Sequence, residues 1–188
     1  MIAKINYYLD KFFGIEIIRT RPKEAIKFAK DYFKNKPIKS IEIGIFKGQN
    51  SEDIIKNLNI KKNYLIDPYT QYEDYKSDGY YDKLKIAKKE ALNRLKKWSN
   101  KIIWIRDYSE KAIKKISEEV DFIYVDGNHE YEYVKKDLQL YWIKLKKGGI
   151  LSGHDIQSLG VSNAVLEFAK EKNLEVHFGD RRDWWIIK

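Results

Sequence analysis

Apolar positions along the chain switch between a helical period of about 3.6 residues and short continuous runs too brief for a helix. Residues 2–13 place Ile2, Ile5, Leu9, Phe12 and Phe13 at helical spacing, and a second such stretch carries Ala25, Ile26, Ala29, Tyr32 and Phe33 behind Pro22, where a first helical turn accepts proline. Two amphipathic helices are therefore predicted ahead of the first strand. Lys36-Pro37 closes the second of them. Ile38 to Phe46 then reads as a β-rich run that stops at a glycine-containing turn, and Ser51 to Leu58 returns to the helical pattern.

The same order of strand, turn and helix repeats. Tyr64-Leu65-Ile66 predicts a strand ending at Asp67-Pro68, and Leu84, Ala87, Ala91, Leu92, Leu95 and Trp98 stripe a helix whose other face is lysine-rich. Ile102 to Ile105 predicts a strand, Glu110 to Glu119 a helix, Phe122 to Val125 a strand, and 130–145 a helix. Gly149-Ile150-Leu151 opens another strand and 161–172 the last helix. Strands without a polar face that alternate with helices predict an open α/β sandwich, a largely parallel sheet covered on both sides. The end breaks the alternation: Leu174 to Phe178 and Trp184 to Ile187 are strand-like runs joined only by residues 179–183, too short for a crossover helix. One terminal strand is predicted antiparallel. The irregular stretch from Tyr69 to Asp82 carries Tyr72, Tyr75, Tyr80 and Tyr81 and leaves directly from a strand's C-terminal end.

Length and composition narrow the class. The 188 residues suit one domain at ~100–200 residues each, and 43% hydrophobic with 14% aromatic residues excludes a disordered chain despite 35% charged residues. The formal net charge is +9, but only six of the basic residues are Arg. Arg supplies the bidentate fork that reads phosphates and guanine edges, so the lysine excess points to a solvated surface more than to nucleic acid. The absence of cysteine excludes disulfides, thiolate zinc sites and a Cys nucleophile. Lys4, Asp10 and Lys11 interrupt the N-terminal segment, and no run approaches ~18 apolar residues, so a cytoplasmic protein with no membrane partner is expected.

In open parallel sheets, ligands bind beyond the carboxyl ends of the strands. The first such turn here is Glu42-Ile43-Gly44-Ile45-Phe46-Lys47-Gly48-Gln49-Asn50-Ser51. Gly44 permits close backbone approach, Gly48 a tight entry to the helix, and Asn50 or Ser51 can cap that helix and bond a ligand carboxylate. Asp67 follows Glu42 by 25 residues, near the ~20-residue offset of an acid that receives ribose hydroxyls; it also reads as a plain Asp-Pro turn initiator. Asp107-Tyr108-Ser109 is placed either to border an adenine or to cap a helix with Ser109.

On these residues, over roughly 38–156, the chain resembles the class I S-adenosylmethionine-dependent methyltransferases. The resemblance implies one domain over 1–188: N-terminal helices to residue 36, then a Rossmann-like, doubly wound, mostly parallel seven-stranded core over 38–188 with an antiparallel last strand. It implies S-adenosylmethionine as cofactor, with Glu42, Gly44, Phe46, Gly48, Asn50 and Ser51 at the methionyl part. Asp67 would bind ribose, Tyr108 and Ser109 would flank adenine, and Asp126 completes the cofactor set.

Two of the three histidines and two aspartates fall at neighbouring strand ends, in Val125-Asp126-Gly127-Asn128-His129 and Ser152-Gly153-His154-Asp155. This segment is similar to the catechol-O-methyltransferase-like branch and to relatives that methylate sugar hydroxyls. The likeness implies a divalent cation, usually magnesium, held by Asp126, His154 and Asp155, and places His129 at the basic position three residues after the strand-four acid. The departure is His154 where an oxygen ligand is common. Magnesium prefers oxygen, so either His154 stands behind the ligands, or the ion is a borderline metal such as manganese or iron, or no metal binds. Methyl transfer from a sulfonium is an in-line displacement, and a neutral hydroxyl is a poor nucleophile near neutral pH. A Lewis acid lowers the hydroxyl pKa, and His129, with an ordinary pKa of ~6.5, then accepts the proton with Asp126 beside it.

Each position also has an ordinary structural reading: Asp126 anchoring a loop, His129 facing solvent at a helix start, His154 and Asp155 satisfying one another at a turn. His177, without an acidic partner placed for it, reads as structural. The tyrosine-rich stretch is either a lid over an acceptor or surface packing. The leading expectation is an O-methyltransferase for a small-molecule or glycan hydroxyl. A nucleic-acid methyltransferase is the alternative, carried by the basic stretch 83–97 and opposed by the missing Asn/Asp-Pro-Pro-aromatic loop; a non-catalytic binding protein that keeps the fold is another. The N-terminal aromatics Tyr7, Tyr8 and Phe13 are expected to cover the site or to form a homodimer contact.

Overall fold

The computed structural model describes residues 22–70, 80–180 and 182–188. The helix predicted over 2–13, its aromatics, and Tyr72 and Tyr75 of the tyrosine-rich stretch lie outside the described residues. In chain order the elements are α1 (Glu24–Phe33), β1 (Ile38–Ile43), α2 (Gln49–Asn57), β2 (Ile60–Ile66), α3 (Tyr80–Leu95), β3 (Ile102–Ile105), α4 (Ser109–Ala112), β4 (Val120–Val125), α5 (Tyr131–Trp142), β5 (Leu145–Gly153), α6 (Leu159–Lys172), β6 (His177–Phe178) and β7 (Trp184–Ile187). The strands form one seven-stranded sheet in the order β3-β2-β1-β4-β5-β7-β6. All pairs are parallel except β5 with β7 and β6 with β7, as the short 179–183 connection predicts.

Strand side chains alternate between two cores. On one face, Phe122 and Tyr124 of β4 meet Ala25, Ile26 and Ala29 of α1, Ile54 of α2 and Leu95 of α3. On the other, Ile123 and Val125 meet Val134 and Leu138 of α5 and Val161 and Val165 of α6. The strands carry no polar face because both faces are covered. The order reverses between β1 and β4, which makes their carboxyl ends the crevice where this architecture takes ligands.

Several boundaries depart from the pattern. β2 begins at Ile60, not Tyr64, because backbone pairing of Lys39 with Lys62 and Ser40 with Asn63 extends the strand through polar residues that periodicity cannot mark. β5 begins at Leu145: Leu145 pairs with Val120, and the register then shifts so that Ile150 pairs with Phe122, the irregularity expected of glycines inside a strand. The helix expected over Glu110 to Glu119 stops at Ala112 and tightens into a 3-10 turn at Ile113–Lys115. The strand expected over Leu174 to Phe178 keeps only His177–Phe178.

Candidate active site

Sheet register builds the site. Ile105, Ile66, Ile43, Val125 and Gly153 pair in one row across β3, β2, β1, β4 and β5. The next residue of each strand therefore leaves the sheet at one level: Arg106, Asp67, Gly44, Asp126 and His154. The Asp126 amide donates to the Ile43 carbonyl at 2.8 Å and the His154 amide to the Val125 carbonyl at 3.1 Å, which continues the ladder one step into the loops.

Gly44 turns away from β1 with φ +83°, and a Cβ on it would lie 2.0 Å from the Asp126 carbonyl oxygen. Its close approach is thus to the chain's own β4 loop. Asp67 Oδ2 accepts from the amides of Ile45 at 2.8 Å and Phe46 at 3.0 Å, and Oδ1 from the amide of Tyr69 at 2.7 Å. The Tyr69 hydroxyl donates to the Phe46 carbonyl at 2.9 Å. Asp67 therefore ties the glycine turn down; of the roughly four lone-pair sites on a carboxylate, about one is left for a ligand hydroxyl. Phe46, with φ 48°, presents an exposed ring at the rim.

Glu42 and Ser51 are fully buried beneath this turn. Burial pushes the Glu42 carboxyl up to about 7, against the lowering effect of Ser51 and of Asn50, whose Nδ2 donates to Glu42 Oε1 at 3.0 Å. Beyond β3, the Tyr108 amide donates to Asp107 Oδ1 at 3.0 Å, and the Tyr141 hydroxyl donates to the Ser109 carbonyl at 2.8 Å. The Ser109 side chain serves the buried Asp137, whose carboxyl burial raises to about 7 despite that bond. Ser109 thus joins α4 to α5.

The four acid and imidazole residues expected to meet do so. His129 Nε2 stands 3.3 Å from Asp155 Oδ2 and 3.7 Å from Asp126 Oδ1, while His154 Nδ1 stands 3.2 Å from Asp155 Oδ2 and 3.9 Å from Asp126 Oδ1. The Asp126 carboxylate raises the His129 imidazole above its ordinary pKa, and Asp155 adds to this, together outweighing the opposite pull of burial. Burial would raise Asp126 itself, but His129, Lys23 and His154 overcome it and hold the carboxyl below its usual value. His154 holds Asp155 far below the carboxylate range, with Gln157 Nε2 donating to Asp155 Oδ1 at 2.8 Å. The start of α6 braces this loop from outside: a Cβ on Gly160 would lie 2.2 Å from the His129 carbonyl oxygen.

Two residues here were not legible in the sequence. Lys23 Nζ donates to Asp126 Oδ2 at 3.1 Å and lies 4.8 Å from the centre of the Tyr124 ring. Asp183, fully buried, accepts the Ala25 amide with Oδ2 and so caps the first turn of α1 from the β7 side. Lys23 is one lysine among many, and the capping residue lies 158 positions from the amide it serves.

Comparison with known proteins agrees with this architecture. Residues 41–156 match the family model described as a methyltransferase domain, and the chain belongs to that family. It is a class I S-adenosylmethionine-dependent methyltransferase by family and fold. The O-methyltransferase NovP superposes with a TM-score of 0.64 at 15% identity, over 88% of this chain and 78% of its own. CalS11, a TDP-rhamnose 3'-O-methyltransferase, gives 0.62 at 12% identity over 99% and 91%. A Streptococcus mutans protein in complex with SAH gives 0.61 at 15% identity over 89% and 96%. No curated protein matches the sequence. Among the described residues no helix is long and apolar enough to cross a membrane.

The residues fit a nucleoside sulfonium in one respect that the structure itself displays: Asn50 Oδ1 beside the glycine turn and Asn128 Nδ2 beside Asp126 are buried and have no hydrogen-bond partner among the described residues. Such atoms cost free energy unless something satisfies them. Asp126, His154 and Asp155 offer ligand atoms all within 4.8 Å of one another. Two carboxylates with one imidazole suit a borderline ion such as manganese better than magnesium.

Proposed function

We propose that this chain is an O-methyltransferase of the catechol-O-methyltransferase-like branch, acting on a hydroxyl of a small molecule or glycan. The observation that carries the reading is His129 Nε2 braced between Asp155 and Asp126, on the loop whose backbone presses against Gly44. S-adenosylmethionine, when bound, supplies a methyl group on a sulfonium leaving group. The Gly44 turn and Asp67 orient it, Phe46 offers a ring at the rim, and Asn50 offers an acceptor to its amine. His129, whose Nε2–H faces the two carboxylates, takes the acceptor hydroxyl's proton at Nδ1, and the carboxylates stabilise the imidazolium that forms. The same carboxylates raise its pKa, which strengthens it as a base near neutral pH. A divalent cation on Asp126, His154 and Asp155 would act as a Lewis acid toward the hydroxyl. Holding donor and acceptor in line supplies the rest of the rate.

NovP and CalS11 support the hydroxyl as acceptor class, and CalS11 supports a sugar among the candidates. The test is methyl transfer from labelled S-adenosylmethionine to a panel of phenol, catechol and nucleotide-sugar acceptors, with Mn²⁺, Mg²⁺ or chelator. Transfer to a hydroxyl, lost in His129→Ala with SAH binding retained, is expected. Transfer confined to RNA or DNA probes would replace this reading with the nucleic-acid one.

A further inference from the structure

Lys23 has no part in the reaction as described, yet its ammonium is placed on one of the two central carboxylates. Its Nζ donates to Asp126 Oδ2 at 3.1 Å, with 21% and 22% of the two side chains exposed, so the pair is shielded from bulk screening. The Tyr124 ring lies against the same ammonium, 4.8 Å from ring centre to Nζ. The backbone fixes the base of the side chain: the Lys23 carbonyl accepts from the amides of Ile26 at 3.0 Å and Lys27 at 3.1 Å, which makes Lys23 the cap residue of α1. Asp183 holds the next turn of that helix through the Ala25 amide. Carboxylate, ring and helix cap together keep a positive charge at this spot.

The other oxygen of Asp126 faces His154, with Nδ1 to Oδ1 at 3.9 Å. Resting on the reading of Asp126, His154 and Asp155 as a metal site, we propose that Lys23 is the resident cation of the cluster and competes electrostatically with a divalent ion for Asp126. With Lys23 in place, the carboxylates Asp126 and Asp155 carry one net negative charge between them; without it they carry two. A divalent ion on Oδ1 is repelled across the width of one carboxylate by an ammonium on Oδ2. At a partly exposed site that repulsion weakens binding by a factor of order ~10.

The experiment is calorimetric titration of the full chain with MnCl₂ alone, at fixed pH and ionic strength, with SAH binding as the check on folding. Lys23→Met is expected to bind Mn²⁺ about tenfold tighter than wild type, and Lys23→Gln is the neutral variant to read if Lys23→Met does not fold. Lys23→Arg keeps the charge and is expected within about threefold of wild type. Lys27→Met removes a charge from the same helix, where Lys27 is engaged with Glu24 rather than Asp126, and is expected within about twofold. Wild-type binding that Lys23→Met leaves unchanged overturns the role of Lys23 alone. A gain in Lys27→Met equal to that in Lys23→Met also overturns it, since the effect is then one of overall charge. No Mn²⁺ binding in either wild type or Lys23→Met, with SAH binding intact, overturns the metal reading and this inference with it.

Discussion

Gly44 and Asp126 touch through their backbones: a Cβ on residue 44 would lie 2.0 Å from the Asp126 carbonyl oxygen and 2.5 Å from its carbonyl carbon. The turn proposed to hold the methyl donor and the loop proposed to activate the acceptor are therefore one mechanical unit. Neither can shift without the other.

Gly44→Ala tests that unit. Alanine meets both the φ of +83° and the Asp126 backbone, which is a contact no side-chain rotation relieves. The variant should lose about 2–4 kcal/mol of stability and bind SAH at least about tenfold more weakly. Denaturant unfolding and calorimetry report the two losses.

Asp67 and His129 should separate donor binding from chemistry. Asp67→Ala strips the carboxylate from three backbone amides, those of Ile45, Phe46 and Tyr69, so the turn loosens and SAH affinity should fall by about tenfold or more. His129→Ala should lower turnover by ~10²–10⁴ while leaving SAH affinity within about threefold. Equal loss of SAH affinity in both variants would contradict the division of roles.

Glu42 gives the fold a pH dependence of known sign. Its folded-state pKa is pushed up to about 7 by burial, from 4.5 when unconstrained, so between these values the folded chain holds a proton that the unfolded chain has released. The stability that proton confers is complete below about pH 4.5 and is lost as pH rises through about 7, at up to ~1.4 kcal/mol per pH unit. Asp137, also raised to about 7 by burial, acts in the same direction from 3.8 upward. Urea unfolding of wild type at pH 5 and pH 8 should show the decline, and Glu42→Gln should flatten it by roughly half.

Asp183→Ala removes the cap of α1 and leaves the Ala25 amide buried without a partner. A loss of about 1–3 kcal/mol is expected, with Asp183→Asn, which keeps an acceptor oxygen, costing less. Thermal or chemical denaturation distinguishes the pair; equal losses would show that charge rather than the cap matters at this position.

Much of this was legible along the chain. The alternation of short apolar runs with helical stripes marked every strand of the sheet, and the 179–183 connection alone required the reversed final strand. Asp67 and Asp126 were readable as candidates because each directly follows an apolar run, and His154 because it stands just past one, beyond Ser152 and Gly153, where a parallel sheet opens its crevice. Boundaries failed where polar residues entered a strand, as at Lys61, Lys62 and Asn63, since hydrogen bonding to β1 and not side-chain polarity holds that segment in place. Ser109 was open to two readings for a related reason. Its position after β3 suggested either an adenine neighbour or a helix cap, and its bond to the buried Asp137 on α5 depends on helix docking that spacing does not record.

Local sequence determined the elements, their order, and which chemistry-bearing residues stand at strand ends, because periodicity and turn residues act over a few positions. Only the tertiary structure decided that five strand ends are level, that Glu42 is fully buried, and that Lys23 and Asp183 reach the site at all. Those facts depend on pairing between strands far apart in the chain and on where a helix docks. Spacing along the sequence carries no record of either.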